Sequence, residues 1–507
     1  MWYWWVIFVV CGLLLGIFAY DLFQRKHAIL RNFPIIGHFR YLLEMIGPEL
    51  RQYIVTGNDE ERPFSRDQRR WVYTTAKQKN SYFGFGSDNE MEQTENYLIL
   101  KHSAFPLSLP HASEPGYDPN HPIPCAKTLG AKRGRAKAFR PASVVNVSAM
   151  SFGSLSGPAV EAINRGCKLA GCLHNTGEGG ISSHHLHGGD LIWQIGTGYF
   201  GCRDADGKFS LERFKENVAR HPIRAIEIKL SQGAKAGVGG IVPGAKVTQE
   251  VSQIRGVPVG KDCISPATHS AFDGPDALLD FVEQLAAETG LPVGIKSAVG
   301  QMPFWSELTQ LMSSTNRAVD FISIDGGEGG SGAAPLAFSD HVGLPFKWGF
   351  SRVYRLFAEL GLHEDVVFIG AAKLGFPDSA MFAFALGCDM IAVAREPMMA
   401  IGCIQAQRCH TGHCPTGVAT QNRWLIHGLD PTDKAARMAN YVVNLRKEIL
   451  MLSRTMGVVH PGLVGGDHLE ILNGRFGSNT LADLFDYSSG FGLPSVEDQQ
   501  EITSLMK

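Results

Sequence analysis

The stretch SVVNVSAMSFGSLSGPAVEAINRGCKLAG, residues 143–171, decides the fold. It opens with an apolar, β-branched run (143–150), passes through serine and glycine, and continues as a helical stretch, GPAVEAINRGCKLAG (157–171). An unbroken apolar run reads as a strand buried on both faces, hence part of a parallel sheet. The same strand, loop and helix pattern recurs along the chain. Further runs are CLHNT (172–176), LIWQIG (191–196), AIEIKL (225–230), PVGIKS (292–297), FISIDGG (321–327), VVFIGA (366–371) and MIAVAR (390–395), with helical stretches such as GPDALLDFVEQLAAETG between them. Eight strands over about 250 residues predict an α/β fold, a (β/α)8 TIM barrel. The ISP run at 264–266 competes as a strand; the glycine, proline and charge around it assign it to a long insertion after the fourth strand.

Chemistry in such barrels sits just past the C-terminal ends of the strands. This sequence keeps its unusual residues there. SAMSFGS (148–154) follows strand one and NTGEGG (175–180), carrying Glu178, follows strand two. Strand four runs into KLSQGAKAGVGG (229–240), with Lys229, Gln232 and Lys235, and Arg255 lies downstream. Strand five carries Lys296, strand six ends in DGGEGGSGAAP (325–335), strand seven in GAAKLG (370–375), and strand eight in Arg395. A carboxylate such as Glu178 on an open backbone can serve a substrate nitrogen as acid or base, or simply cap a solvated turn. Lysine and arginine at strand ends bind substrate carboxylates, or are surface charge. The loops after strands seven and eight are the usual phosphate site, where Lys373 and Arg395 could supply charge.

Past strand eight comes CIQAQRCHTGHC, with Cys403, Cys409 and Cys414. Three thiolates on one loop suit an iron–sulfur cluster or zinc, and His410 and His413 are available to zinc. Three unliganded cysteines are the alternative. The remaining cysteines are too sparse for a disulfide framework.

With 507 residues, 44% hydrophobic and 19% charged, and a net charge of −2, the composition is that of a globular chain. Near-zero charge gives no footprint for nucleic acid. The run from Lys127 to Lys137 (KTLGAKRGRAK) reads as a solvated face, or as a contact for anionic lipid. The stretch WYWWVIFVVCGLLLGIFAY (2–20) has no charge and is long enough to span a hydrocarbon core, with interfacial aromatics at both ends. No early positive charge or clear small-residue cleavage site marks it as a signal peptide. Arg25, Lys26, His27 and Arg31 follow, which places the remainder of a single-pass membrane protein in the cytoplasm. The expected organisation is an anchor (1–26), a juxtamembrane and N-terminal extension (27–142), the barrel (143–421), and a C-terminal helical extension (422–507). The extension carries an amphipathic helix, DPTDKAARMANYVVNLRKEILMLSRT, expected to pack on the barrel.

Taken together, SAMSFGSLS, HNTGEGG, EIKLSQGAKAGVGG, VPGAKV, ISPATH, DGGEGGSGAAP and GCIQAQRCHTGHCPTGVATQ resemble the flavin-binding synthase domain of glutamate synthase, from about residue 143 to 421. In that family the C-x5-C-x4-C spacing holds a 3Fe–4S cluster. The resemblance implies FMN and a 3Fe–4S cluster on Cys403, Cys409 and Cys414. Ala149, Met150 and Ser151 would contact the flavin. Lys296 would lie against the isoalloxazine and raise its electron affinity. Asp325, Gly326, Gly327, Gly370, Lys373 and Arg395 would complete the cofactor site. Glu178, Lys229 and Gln232 would be catalytic, with Lys235 and Arg255 joining Lys229 and Gln232 on 2-oxoglutarate.

The implied reaction is reductive amination of 2-oxoglutarate through 2-iminoglutarate, an oxidoreductase activity of the class acting on CH–NH2 donors. Ammonia or a glutamine-derived amine supplies the nitrogen. No glutaminase nucleophile and no Gly-x-Gly-x-x-Gly after a strand are found, so electrons are expected from a separate ferredoxin or NADPH-oxidising subunit. Homo-oligomerisation is compatible with the sequence. The chain departs from the family at Ile241, where a glutamine is usual, and at Gly370-Ala371-Ala372, where Asp-Gly-Gly is usual. Ile241 keeps open a related FMN oxidoreductase acting on another imino acid, on a 2-hydroxy acid or in N-methylglutamate synthesis. A non-catalytic membrane electron-transfer subunit is the remaining alternative.

Overall fold

The computed structural model describes residues 2–114 and 117–506. They fall into two compact units divided between Arg70 and Trp71. In the first unit, the helix Trp2–Phe23 is exposed along its length except at Asp21. It is long and apolar enough to cross a membrane by length and composition. The Asp21 carboxylate accepts the Ile35 N–H at 2.9 Å and lies 3.0 Å from His38 Nε2. Past the short helix Ala28–Asn32, that contact ties the apolar helix to Gly37–Leu50, which continues into a single π-helical turn, Arg51–Val55.

The second unit is built on a closed barrel. Its strands are β1 (Val145–Val147), β2 (His174–Asn175), β3 (Leu191–Ile195), β4 (Ile223–Lys229), β5 (Val293–Ser297), β6 (Phe321–Asp325), β7 (Val367–Ala371) and β8 (Met390–Val393). Neighbours in sequence pair in parallel, and β8 closes on β1. All eight expected strands form in the expected order. The ISP run lies in the insertion between β4 and β5, where Cys263–Ile264 pairs antiparallel with Ile241–Val242.

Local signals explain the crossover helices. Gly157–Ala170 starts at Ser156, whose hydroxyl accepts the Ala159 N–H, and stops at Gly171 in the left-handed region (φ 65°). The long helix Pro431–Thr455 starts at Asp430, which caps Thr432 N, and buries Met438, Tyr441 and Leu445. It packs on Gly157–Ala170 at Gly166, where an added Cβ would fall 2.9 Å from Met438 Cβ and 3.0 Å from the Ala435 carbonyl. The C-terminal extension thus docks on the barrel wall, as its amphipathic pattern implied.

The barrel interior is graded. Leu173, Ala225, Phe321, Val367 and Met390 form an apolar layer at the N-terminal end. One step up, at period two, β2, β4 and β6 turn polar with Asn175, Glu227 and Ser323, while β7 and β8 stay apolar with Ile369 and Ala392. At the mouth stand Lys229, Lys296 and Asp325.

The basic run is a solvated face only in part: Lys132 and Lys137 are exposed, while Lys127 is buried and Arg135 half-buried. Cys125 and Leu129 are buried in the core layer, and Phe139 packs against it. The segment plugs the barrel floor, and its cations meet the acids and carbonyls of the strand ends. Lys127 is 4% exposed and donates to Asp389 (3.0 Å) and to the carbonyls of His363 and Val366. Arg135 bridges Asp320 (3.0 Å) and Glu283 (2.6 Å).

Candidate active site

The four residues after β2 and β4 that sequence reading singled out come together. Lys229, the last residue of β4, donates from Nζ to Glu178 Oε1 (2.9 Å) and to Gln232 Oε1 (2.8 Å). The glycines of the β2 loop make room for this arrangement. A Cβ at Gly177 would strike Ser151, and one at Gly179 would lie 2.6 Å from Arg255 Nη2. Side chains at Gly196 or Gly240 would overlap the Glu178 carboxylate, so glutamate is seated between two backbones. Glu178 is therefore an enclosed, ion-paired group and not a solvated turn residue.

Lys235 and Arg255 are each 4% exposed. Arg255 Nη2 donates to the Phe152 carbonyl at 3.0 Å, its guanidinium lies over the Phe200 ring, and its buried Nε has no hydrogen-bond partner. Burial pushes the Lys235 ammonium down to about 8, with Lys229 and Arg255 adding to it and Glu178 opposing. Burial pushes Glu178 up, but Lys229, Lys235 and Arg255 together outweigh it and hold the carboxyl below its ordinary value. Glu178 is thus ionised at neutral pH. Three cations face one carboxylate here, so the group carries an excess of two positive charges in a largely dry site.

ISPATH, assigned only to the insertion, supports the same lysine. His269 Nε2 donates to the Lys229 carbonyl (2.9 Å), and its Nδ1 meets the Tyr199 hydroxyl (3.0 Å). Thr197 Oγ1 ties the Pro266 carbonyl (2.6 Å). A buried histidine in a loop gives no signal of its own in sequence.

Below this cluster, Lys296 lies 3.5 Å from Asp325 Oδ2, which also accepts the Gly233 N–H at 3.0 Å. Burial disfavours the Lys296 charge, yet Asp325, Glu227 and Glu178 more than restore it and raise its pKa. Glu227 escaped sequence reading. It is 2% exposed and accepts from Asn175 (2.7 Å), Gln194 (2.7 Å) and Ser323 (2.5 Å).

The expected flavin contacts sit around the mouth. Met150 is fixed by two bonds: its N–H donates to Asn175, and its carbonyl accepts His185 Nε2 at 3.0 Å. Burial holds His185 down to about 4, hence neutral, with Nδ1 accepting the Ser182 N–H. Ala149 and Ser151 are half-buried beside it. Past β7 the backbone enters the left-handed region at Ala372 (φ 135°) and Lys373 (φ 52°), and Arg395 Nη2 donates to the Glu328 carbonyl at 2.6 Å. Two cations thus stand at the ends of β7 and β8.

The glycines of the expected cofactor site are closely packed by protein on the side a Cβ would occupy. Gly370 alternates with the inward-facing Ile369 and Ala371, so it faces outward, where a Cβ would meet Cys388, Leu374 and Phe346. Gly326 is packed against Phe346 and Gly327 against the Gly343 carbonyl. These three make room for protein.

The cysteine loop reaches the mouth. Gln421 Nε2 donates to the Leu155 carbonyl (2.8 Å), Ser156 N–H to the Val418 carbonyl, and the Tyr73 hydroxyl to the Cys403 carbonyl (2.8 Å). Among the described residues, no three His, Cys, Asp or Glu side chains converge as ligands of one metal ion, so the triplet is not assembled into a site. The donor chemistry around it does suit a cluster. Burial raises Cys414, but the Thr416 hydroxyl and the N–H groups of Ala419, Thr416 and Val418 outweigh it and lower the thiol. Lys246, 2% exposed, donates to the Ser154 carbonyl (2.8 Å); burial brings it down to about 8, opposed by Cys409 and Cys414. Sequence reading quoted VPGAKV without giving this lysine a task.

A parallel eight-stranded barrel with charged, polar and glycine-built groups at the C-terminal ends of its strands has the architecture of the TIM-barrel enzymes. The family model described as "Conserved region in glutamate synthase" matches residues 127–459. The glutamate synthase large subunit-like protein YerD of Bacillus subtilis is 38% identical over 493 residues, 92% of this chain and 93% of that protein. The archaeal glutamate synthase [NADPH] of Methanocaldococcus jannaschii is 34% identical over 318 residues, 62% of this chain and 59% of its own length. The chain belongs to the glutamate synthase family. Among solved structures, a flavocytochrome b2 mutant with pyruvate bound is similar at a TM-score of 0.44 and 12% identity, over 90% of this chain and 98% of that one. So distant a likeness carries no functional weight.

Proposed function

We propose that the chain is a glutamate synthase-type oxidoreductase that binds FMN and reductively aminates 2-oxoglutarate. The observation that carries this reading is the twofold positive excess of Lys229, Lys235 and Arg255 over Glu178. It matches a dicarboxylate, and the unsatisfied Arg255 Nε is a donor still to be used. In this reading the three cations hold the carboxylates and polarise the keto oxygen. Glu178, ionised at rest, takes a proton from the nitrogen as ammonia adds to the keto carbon. It delivers that proton to the oxygen and then carries a second one the same way, so that the oxygen leaves as water and the nitrogen, two protons poorer, yields 2-iminoglutarate. Lys229 orients Glu178, and Gln232 orients Lys229.

Lys373 and Arg395 suit the phosphate of FMN, while Ala149, Met150, Ser151, Lys296 and Asp325 suit its ring. FMN, when bound, supplies the hydride that reduces the imine carbon. Cys403, Cys409 and Cys414 would hold a 3Fe–4S cluster, which accepts electrons from a separate donor, a ferredoxin or an NADPH-oxidising protein. Trp2–Phe23 would anchor the protein in a membrane, with the barrel on the cytoplasmic side. Ile241, paired with Ile264 next to the glycine that seats Glu178, favours as second reading a related FMN oxidoreductase with a less polar imino or 2-hydroxy acid.

The test is anaerobic photoreduction of the FMN-loaded protein, then addition of 2-oxoglutarate and ammonium. Rapid flavin reoxidation with glutamate formed is expected, and Glu178→Gln should slow it on the order of 10²–10⁴-fold with FMN retained. Bound FMN that 2-oxoglutarate leaves reduced would overturn this substrate in favour of the second reading.

A further inference from the structure

Lys296 is expected to lie against the isoalloxazine and raise its electron affinity, and its ammonium sits among acids. Asp325 lies 3.5 Å from its ammonium, and Glu227, one step deeper in the barrel, acts on it as well. Neither acid is incidental. Asp325 is tied to the Gly233 N–H. Glu227 takes hydrogen bonds from Asn175, Gln194 and Ser323, so three other strands, β2, β3 and β6, each contribute a donor to one carboxylate on β4. All three bonds engage its two oxygens as acceptors, as a carboxylate is engaged. Lys296, Glu227 and Ser323 line one small cavity at the heart of the barrel. The sum over Lys296, Asp325 and Glu227 is one negative charge, not one positive.

We infer that Glu227 is a positioning residue that sets the electron affinity of the flavin. It lines the same cavity as Lys296 and, together with Asp325, overcompensates its charge. The inference deepens the proposed function and rests on the FMN reading. A net negative group beside a bound flavin would oppose the extra electron density of its reduced or adducted form. A strong hydride donor requires a flavin that does not hold its electrons tightly, and this group provides that bias. Glu227 touches neither substrate nor cofactor in this account; it acts through Lys296.

Sulfite tests the inference without turnover. It adds to flavin N5 and bleaches the visible band, and the adduct is stabilised by positive charge near the ring. The FMN-loaded full-length chain would be titrated with sulfite and the bleaching followed. Glu227→Gln keeps the shape and removes the charge, so it should bind sulfite on the order of tenfold more tightly at unchanged FMN content. Ser323→Ala keeps the charge and withdraws one donor, so it should weaken sulfite binding. The second variant also reports if Glu227→Gln does not fold. Wild-type affinity in a folded, FMN-loaded Glu227→Gln, or in Ser323→Ala alone if the first is unfolded, would overturn the inference. A wild-type chain that takes up no FMN would instead overturn the reading beneath it, and the inference with it.

Discussion

Lys235 is the residue whose environment makes the sharpest pH statement. Its folded value of about 8 lies below the ordinary 10.5. In the substrate-free protein its charge is therefore lost as pH rises through 8, and a dianion loses one of three cationic partners. KM for 2-oxoglutarate should climb above about pH 8 in the wild type, while Lys235→Met should start high and stay flat there. For folding, the unfolded chain keeps the proton up to 10.5, so it binds more protons than the folded chain between 8 and 10.5. Stability contributed by this group thus rises with pH across that window. Thermal unfolding should show Lys235→Met relatively more stable at pH 7 and the wild type catching up toward pH 10. At this scale the sequence was legible where glycine framed a charged residue: Glu178 in NTGEGG and Lys235 in SQGAK stood out. Glu227 did not, because AIEIKL was read as an unbroken apolar run. The alternation Ala225, Glu227, Lys229 puts all three on one face, and that face is the barrel interior.

Among elements, the two helices Gly157–Ala170 and Pro431–Thr455 make the most demanding contact. Gly166 has no room for a side chain, since an added carbon would lie 2.5 Å from Met438 Sδ and 3.0 Å from the Ala435 carbonyl, inside van der Waals contact. Gly166→Val should lower stability by about 1–3 kcal/mol through overpacking, read as a fall in thermal midpoint of the loaded protein. An unchanged midpoint would mean the helices slide apart freely. Both helices were readable from cap residues and apolar spacing, Ser156 and Gly171 at one end of the argument, Asp430 at the other. The basic segment 127–137 was not. Composition cannot distinguish a solvated charge run from one whose partners, Asp320, Glu283 and Asp389, arrive some 150 to 260 residues later. The cysteine spacing was legible as a motif, whereas side-chain convergence is a matter of loop geometry that spacing does not fix.

At the scale of the whole molecule, the division at Arg70 separates an apolar-helix unit from the barrel unit. Deleting residues 1–26 should leave FMN binding intact and shift the protein from the floating vesicle fraction to the bottom of the gradient in a flotation assay. A deleted protein that still floats with lipid would place the membrane contact elsewhere. The barrel floor carries a different consequence, in time and not in space. The plug residues Cys125, Leu129 and Lys127 leave the ribosome before any barrel strand, and their partners on β6, β7 and around the start of β8 follow about 190 to 260 residues later. Contacts so distant in sequence make for slow closure. During synthesis the plug waits, apolar and unburied, for most of the chain to follow. A nascent chain stalled before Asp389 holds an open barrel and an exposed hydrophobic stopper, the state in which a chaperone would find it.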